Sequence, residues 1–304
     1  MSDNKQKLSD LNVIVAGQGG DGSLTVVNVL ADILRGAGLR VYTERDVLSR
    51  IKGGITAATL RAYDGERLCI SSDIDLFVAF DQAAIGKYAF RLNERSTVIY
   101  DSSNGEISSD NLLPENVRLI GVPLSRYAVK HFRRDIYKNS ISFAVIGRLI
   151  GLKDDDMKRS FEKRFGRRGA QALKYNLDAL EVGCALADES GLEVGKGRFE
   201  IESSDSEPHM LITGNEAVAF GFAVSGGRLF AGYPITPSTD VMEWLVKWLP
   251  KFGGVVKQAE DELSAINMAI GSALTGTRTM TATCGPGIAL MQEGIGQLGM
   301  AEIG

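Results

Sequence analysis

Cysteine and histidine are scarce in this chain. Its 304 residues include three cysteines, Cys69, Cys184 and Cys284, and two histidines, His131 and His209. The cysteines stand far apart and form no CxxC motif, so the chain alone cannot supply the four thiolates of an iron–sulfur cluster or of an all-cysteine zinc site. Two histidines also exclude a histidine-rich metal site. The sequence therefore predicts no metal centre built by this chain alone.

Long apolar runs and an excess of positive charge are missing too. No apolar stretch reaches the roughly 20 residues of a membrane span. The first 12 residues are polar and lack the apolar core of a signal peptide. The net charge of −4 disfavours a nucleic-acid surface. These absences predict a cytoplasmic protein that binds neither membrane nor nucleic acid.

What is present is the composition of a globular protein with two domains. Hydrophobic residues make up 44% of the chain and charged residues 24%, as in ordinary globular proteins. Short apolar strands alternate with helices, which predicts an α/β fold of two domains, each a mainly parallel sheet flanked by helices. Residues 191–209 are polar and lack apolar periodicity. They are predicted to link a domain at 1–190 to a domain that begins at 210 and runs to 304.

A Gly-rich turn follows the first predicted strand, residues 11–16, and leads into a helix. Its pattern, GxGGxG, resembles the GxGxxG of nucleotide-binding folds, but a single match is weak evidence. The helix that follows could receive an anion at its N-terminus. Close packing explains the glycines equally well. The glycines of this possible anion or packing loop are Gly17, Gly19, Gly20 and Gly22.

One reading of this turn is a Rossmann-type nicotinamide oxidoreductase. The next predicted strand, residues 39–43, leads to Glu44 and Asp46, either of which could meet a ribose. The following segment argues against this reading. Residues 49–54 (SRIKGG) form a basic Gly-Gly turn that leads into an apolar strand, ITAATLRAY. That strand is expected to pair in a hairpin-like manner.

In the second domain, three predicted strands end in polar, glycine or proline turns, at Tyr233, Gln258 and Thr283. The carboxyl ends of parallel strands share one edge of a sheet, and ligands bind there, so we expect these three segments to converge. The first turn, YPITPST, contains two prolines and cannot continue a strand. We expect Thr236 to cap the helix that follows and Pro237 to lie in its first turn. The last strand, 277–283, leads into a Gly-Pro-Gly turn.

Between these turns, QAEDE leads into a helix rich in small residues. Acidic residues are common at helix starts because they interact favourably with the helix dipole. Position alone therefore does not distinguish a functional Glu262 from a structural one, and Glu260 or Asp261 would satisfy the dipole equally well.

These motifs resemble the 2-oxoacid:ferredoxin oxidoreductases, which depend on thiamine diphosphate. The resemblance is carried by AGYPITPST, by AEDELSAINMAIGSALTGTRTMTATCGPG, and by VAGQGGDGS with SRIKGGI. It is to chains in which a gamma-type domain precedes an alpha-type, pyrimidine-binding domain. It implies that the second domain is the start of such a fold and that the chain is C-terminally truncated, since family members continue further.

The resemblance also implies roles for residues. Glu262 would bond the N1′ nitrogen of the cofactor's aminopyrimidine, with Glu260 as the alternative if the register is shifted. Ser238 and Thr239 could hydrogen-bond the substrate carboxylate at the helix start or only shape their turn. The residues that would contact substrate or cofactor are Tyr233, Pro234, Thr236, Pro237, Ser238, Thr239, Glu260, Thr283 and Gly285.

The implied reaction is oxidative decarboxylation of a 2-oxoacid, with 2-oxoglutarate favoured, to acyl-coenzyme A and carbon dioxide. Electrons would pass to ferredoxin. The second domain lacks a GDG motif with a downstream asparagine for diphosphate and Mg²⁺. In the family that site and the [4Fe-4S] cluster belong to a separate beta subunit, which fits the scattered cysteines. A non-catalytic assembly subunit remains an alternative, as does the nicotinamide enzyme.

Overall fold

The structure is a computed structural model that describes residues 10–18, 22–46, 54–65, 69–107, 113–189 and 210–303. The chain divides into two compact units, 1–209 and 210–304. Gly19, Gly20, residues 49–53 and the predicted linker lie outside the described residues. Among the helices that are described, none has the length and apolar character needed to cross a membrane.

The first unit is organised around a six-stranded sheet in the order β2-β3-β1-β4-β5-β6. Strands β1, β4, β5 and β6 are parallel, and β3 runs antiparallel to both β1 and β2. The strands are β1 (Asp10–Gln18), β2 (Arg40–Asp46), β3 (Ile55–Tyr63), β4 (Leu76–Ala79), β5 (Thr97–Asp101) and β6 (Arg118–Val122). The helices are α1 (Ser23–Gly36), α2 (Gln82–Tyr88), α3 (Leu124–Phe132), α4 (Lys138–Leu149), α5 (Asp154–Phe165) and α6 (Ala170–Glu189). Short 3₁₀ turns span Ala89–Arg91, Ser102–Asn104, Asp135–Tyr137 and Gly166–Arg168.

The central strands read as unbroken apolar runs because helices cover both faces of the sheet. Successive side chains of β1 point to opposite faces. Val13 and Val15 join the core formed with α1, α4, α5 and α6. Ile14 and Ala16 join a second core formed with α2. The prediction of a mainly parallel sheet with helices on both faces is confirmed for this unit.

Strand β3 argues against the interpretation of the first unit as a nicotinamide oxidoreductase. It pairs antiparallel with β2 and separates β2 from β1, as its hairpin-like sequence predicted. A dinucleotide fold would instead place the second strand parallel to the first and next to it. Asp46 is also engaged, since its carboxylate accepts hydrogen bonds from Lys87 Nζ (2.7 Å) and from the Tyr88 hydroxyl (2.6 Å). The topology therefore does not support a ribose site at this strand end.

The Asp46–Tyr88 contact predicts a loss of stability at high pH. Burial, and then the hydrogen bond to Asp46, raise the pKa of Tyr88 from 10.0 to about 12. The folded state thus holds this proton more tightly than the unfolded state, so the stabilisation is complete below pH 10 and is lost as the pH rises towards 12. We expect the unfolding free energy to fall over this interval by more in the wild type than in Tyr88→Phe, as measured by urea titrations. Equal losses would show that the hydroxyl contributes nothing.

The second unit contains a three-stranded parallel sheet in the order β8-β7-β9. Phe230 of the central strand is almost fully buried and packs with Leu245 and Leu249. The strands are β7 (Leu229–Gly232), β8 (Val255–Gln258) and β9 (Thr279–Met280). The helices are α7 (Gly214–Val224), α8 (Thr239–Trp248), α9 (Glu262–Leu274) and α10 (Pro286–Met300), and a 3₁₀ turn spans Leu249–Phe252.

Two local predictions for this unit were wrong. The last strand ends at Met280 rather than Thr283, since only Thr279 and Met280 pair with β7. Helix α8 begins at Thr239, and the residue before it, Ser238, makes no side-chain cap. Thr236 is therefore not the cap, and Pro237 does not lie in the first helical turn. The chain instead folds back on itself here, because the Thr239 N–H donates to the Ile235 carbonyl (3.1 Å).

Candidate active site

The three strands of the second unit bring their carboxyl ends to one edge of the sheet. Gly232, the last residue of β7, is paired with Gln258, the last residue of β8. Strand β9 runs parallel on the other side of β7 and leads into Thr281 and Thr283. The convergence predicted from the turn chemistry is thus confirmed. The segments that follow these strands supply every residue of the candidate site.

The three acidic residues at the start of α9 occupy different environments. Asp261 is the N-cap, and its carboxylate accepts a hydrogen bond from the Ser264 N–H at 2.6 Å. Hydrogen bonds from Ser264 lower the pKa of Asp261. Glu260 is exposed. Glu262, the first residue of the helix, is only 5% exposed, although a helix-start carboxylate normally points into water.

The burial of Glu262 follows from its position against the start of α10. Gly287, in the first turn of that helix, lies beneath both the Glu262 carboxyl and the Thr283 hydroxyl. A Cβ atom at Gly287 would stand 2.7 Å from Glu262 Oε1 and would overlap Thr283 Oγ1. The missing side chain of glycine thus leaves the space that these two polar groups occupy.

Two threonine hydroxyls in the segment between β9 and α10 are buried, and that of Thr283 lies beside this carboxyl. Thr281 Oγ1 and Thr283 Oγ1 have no hydrogen-bond partner within the described part of the chain. An unsatisfied buried polar group costs about 1–3 kcal/mol, and native proteins rarely keep one without a bound water or ligand to satisfy it. The buried Glu262 carboxyl and the orphaned Thr283 hydroxyl beside it therefore fit a polar ligand.

The Pro-containing turn is tied to the same place. Cys284 Sγ donates to the Thr236 carbonyl at 3.1 Å, which joins this turn to the segment before α10. Asn215 Nδ2 donates to the Pro237 carbonyl at 2.9 Å, which joins it to α7. The turn presents Tyr233, Pro234, Thr236 and Pro237 at the surface, with Ser238 and Thr239 partly buried. Gly285, the exposed N-cap of α10, lies at the adjoining turn.

Gly17 and Gly22 of the predicted loop lie in the first unit, at either side of undescribed residues. Gly22 is the N-cap of α1 and has a φ of 82°, a backbone conformation that glycine tolerates best. A Cβ there would overlap the buried Asn139 amide. Gly17 lies within β1 opposite Thr56. Packing accounts for the choice of glycine at position 22, and an anion-binding role for the loop stays a prediction.

A sequence model of the pyruvate ferredoxin/flavodoxin oxidoreductase family matches residues 12–186, more than half of the chain. The chain belongs to this family. A second model, described as the thiamine-diphosphate-binding part of pyruvate flavodoxin/ferredoxin oxidoreductase, matches residues 222–304. The family resemblance expected from the motifs is therefore confirmed, and both units take part in it.

Relatives of the chain carry related names. The chain is 30% identical to the alpha subunit of a 2-oxoacid:ferredoxin oxidoreductase from a Sulfolobus species, over 96% of this chain and 53% of that protein. It is 50% identical over 92 residues to the 2-oxoglutarate synthase subunit KorA of Archaeoglobus fulgidus, which is 30% of this chain and 27% of that one. This chain therefore spans about half the length of the Sulfolobus subunit, which it matches along nearly all of its own length.

A solved structure is also similar. It is the 2-oxoglutarate:ferredoxin oxidoreductase of Magnetococcus marinus with 2-oxoglutarate, coenzyme A and succinyl-CoA bound. The TM-score is 0.82 at 32% identity, and the match covers 93% of this chain and 49% of that one. At this identity and coverage, the likeness confirms the α/β fold predicted for the chain.

Sequence reasoning missed two residues of this site. Thr281 was not selected; it lies two positions before Thr283, in the segment between β9 and α10. Gly287 was seen only as part of a Gly-Pro-Gly turn. Its contact with Glu262 joins two segments that are 25 positions apart, and nothing in the local sequence predicts such a contact.

Proposed function

We propose that the chain is the gamma–alpha part of a thiamine-diphosphate-dependent 2-oxoacid:ferredoxin oxidoreductase. Residues 1–190 would be its gamma-type domain and residues 210–304 the start of its alpha-type, pyrimidine-binding domain, joined by 191–209. The reaction converts a 2-oxoacid and coenzyme A to acyl-coenzyme A and carbon dioxide, and ferredoxin accepts the electrons. The observation that carries the proposal is the buried Glu262 carboxyl at the carboxyl edge of the second sheet.

The residues around Glu262 fit the aminopyrimidine end of thiamine diphosphate. That ring presents nitrogen donors and acceptors, which a carboxyl group and two free hydroxyls can meet. Glu262 would hold a proton at the N1′ nitrogen. The hydroxyls of Thr283 and Thr281, which have no partner among the described residues, would form hydrogen bonds to the same ligand. When bound, the cofactor supplies the carbon nucleophile and the electron sink that decarboxylation of a 2-oxoacid needs.

The Pro-containing turn would position the substrate. Thr236 lies at the contact with Cys284 and would face substrate and cofactor, while Tyr233, Pro234 and Pro237 would hold the shape of the turn. Ser238 and Thr239, at the start of α8, would contact the substrate carboxylate, and Gly285 would let the neighbouring backbone approach it. Glu260 is exposed, which favours Glu262 over it as the functional carboxylate.

The remaining parts of the reaction would come from a partner. The second unit has no sequence motif for diphosphate and Mg²⁺, and the chain has three scattered cysteines. A beta-type subunit would therefore supply the diphosphate site, the Mg²⁺ and a [4Fe-4S] cluster. We place this heteromeric complex in the cytoplasm with ferredoxin as its electron acceptor.

For the substrate we propose 2-oxoglutarate, with coenzyme A as co-substrate. The Archaeoglobus relative is named as a subunit of 2-oxoglutarate synthase. The Magnetococcus enzyme has 2-oxoglutarate, coenzyme A and succinyl-CoA bound in its structure. These names support the choice of substrate for this chain, and the experiment decides it.

The test is reduction of a viologen dye by the native complex that contains this chain. We expect reduction to require both 2-oxoglutarate and coenzyme A. Reduction with pyruvate in place of 2-oxoglutarate would keep the reaction and change the substrate. No reduction with any 2-oxoacid, in a complex that holds thiamine diphosphate and iron, would refute the proposed activity in favour of an assembly role.

A further inference from the structure

The function proposed for Glu262 depends on where its carboxyl is held, and the structure shows what holds it. Glu262 is the first residue of α9, a position from which a flexible side chain usually extends into solvent. Here the side chain is 5% exposed because it lies against the first turn of α10. The surface it lies on is Gly287, which is buried.

Glycine is required at position 287 because a larger side chain would clash with its neighbours, and not because of its backbone conformation. Its φ does not fall in the left-handed region, unlike that of Gly285 (56°). A Cβ atom would stand 2.7 Å from Glu262 Oε1, 2.9 Å from Glu262 Cγ and closer still to Thr283 Oγ1. A Cβ would therefore displace the Glu262 side chain as well as the Thr283 hydroxyl, and the long, flexible Glu262 side chain can move its carboxyl towards solvent.

We propose that Gly287 is a positioning residue that fixes the Glu262 carboxyl beside the Thr283 hydroxyl, so that both can meet one ligand. The inference rests on the proposed thiamine-diphosphate site. The new element is that a residue of this chain positions the Glu262 carboxyl. Alanine at this position would move the carboxyl while leaving the backbone of α10 free to form, since alanine is the better helix former.

The chain offers a matched control within the same helix. Gly296 also belongs to α10, has no positive φ, and would meet nothing within 4 Å of a Cβ atom. Gly296→Ala therefore makes the same chemical change without the contact. Gly296→Ala should melt at or slightly above the wild-type temperature, because alanine is the better helix former and its Cβ meets nothing. Gly287→Ala should melt lower, because its Cβ has to displace Glu262 and Thr283. A cooperative melt and an unchanged far-UV circular dichroism spectrum of Gly287→Ala exclude misfolding as the cause of any difference.

The first measurement needs no cofactor. A water-soluble carbodiimide modifies accessible carboxyl groups, and peptide mass spectrometry can separate Glu262 from its exposed neighbours Glu260 and Asp261. In the full chain we expect Gly287→Ala to increase the modification of Glu262 several-fold and Gly296→Ala to leave it unchanged. The two neighbours should be modified equally in all three proteins. Unchanged modification of Glu262 in Gly287→Ala would overturn the proposal.

The second measurement is titration of thiamine diphosphate into the complex with the partner subunit. Hydrogen bonds to charged groups contribute about 1.5–3 kcal/mol, so Gly287→Ala should weaken binding at least about tenfold relative to Gly296→Ala. In a Glu262→Gln background, the same change should add less than about twofold, because no charged carboxyl remains to be displaced. Additive effects of the two substitutions would show that Gly287 does not act through Glu262.

The two measurements separate this inference from the proposed function. If the wild-type complex fails to bind thiamine diphosphate but Glu262 becomes accessible in Gly287→Ala, the positioning role stands and the cofactor proposal fails. If the complex binds thiamine diphosphate and both glycine variants bind it equally, the cofactor proposal stands and the positioning role fails.

Discussion

Glu262→Gln should lower the rate of 2-oxoacid-dependent dye reduction by the complex about 100-fold or more. Glutamine keeps the size of the side chain and can still form hydrogen bonds, but it can neither carry the negative charge nor exchange a proton with a ring nitrogen. Loss of a general acid–base group costs roughly 100- to 10,000-fold. Because Glu262 is 5% exposed, water cannot easily take its place. The measurement is kcat with saturating 2-oxoacid, coenzyme A and thiamine diphosphate.

Glu260→Gln is the control for this prediction. Glu260 lies two positions before Glu262 but is exposed, so the same loss of charge should change kcat by less than about threefold, as for other surface substitutions. A large loss of kcat in Glu260→Gln together with normal turnover in Glu262→Gln would assign the contact with the cofactor to Glu260 instead. Normal turnover in both variants would mean that this chain is scaffold only.

The sequence alone predicts which edge of the sheet carries the candidate site, but it does not predict which acidic residue there is functional. Apolar runs that stop at turn residues predicted strand ends at Tyr233 and Gln258. The observed ends are Gly232 and Gln258, and the parallel sheet brings them together. Glu260, Asp261 and Glu262 could not be separated, because helix-start chemistry suits any acidic residue. Burial separates them, and burial depends on the contact of α9 with Gly287, a non-local property.

The errors at the Pro-containing turn have a similar cause. Threonine followed by proline resembles the start of a helix, since both residues are common there. In the structure, the Ser238 hydroxyl and the Thr239 N–H both donate to the Ile235 carbonyl, so the turn closes on itself before α8 begins. Hydrogen bonds between residues three or four positions apart competed with the cap, and the residue types alone did not decide the outcome.

The largest stability effect is expected in the first unit, where an ion pair between the buried Arg61 and the partly buried Asp10 joins β1 to β3. Asp10 accepts hydrogen bonds from Arg61 through both oxygens, from Nε at 2.9 Å and from Nη2 at 2.6 Å. Arg61 is 6% exposed and also donates to the Cys69 carbonyl at 2.8 Å. The hydrogen bond with Asp10 raises the pKa of Arg61, so the guanidinium remains charged in the folded protein.

Asp10→Asn should destabilise the first unit by about 3 kcal/mol, since it leaves a buried guanidinium without its counter-charge. The exposed pair of Arg159 with Asp156 supplies the control, because Asp156→Asn should cost no more than about 1 kcal/mol. Urea unfolding of the full chain, followed through the transition of the first unit, measures both. The double variant Asp10→Leu with Arg61→Met should recover much of the loss, because it removes the stranded charge. If Asp10→Asn is no more harmful than Asp156→Asn, the β1–β3 pairing does not depend on this ion pair.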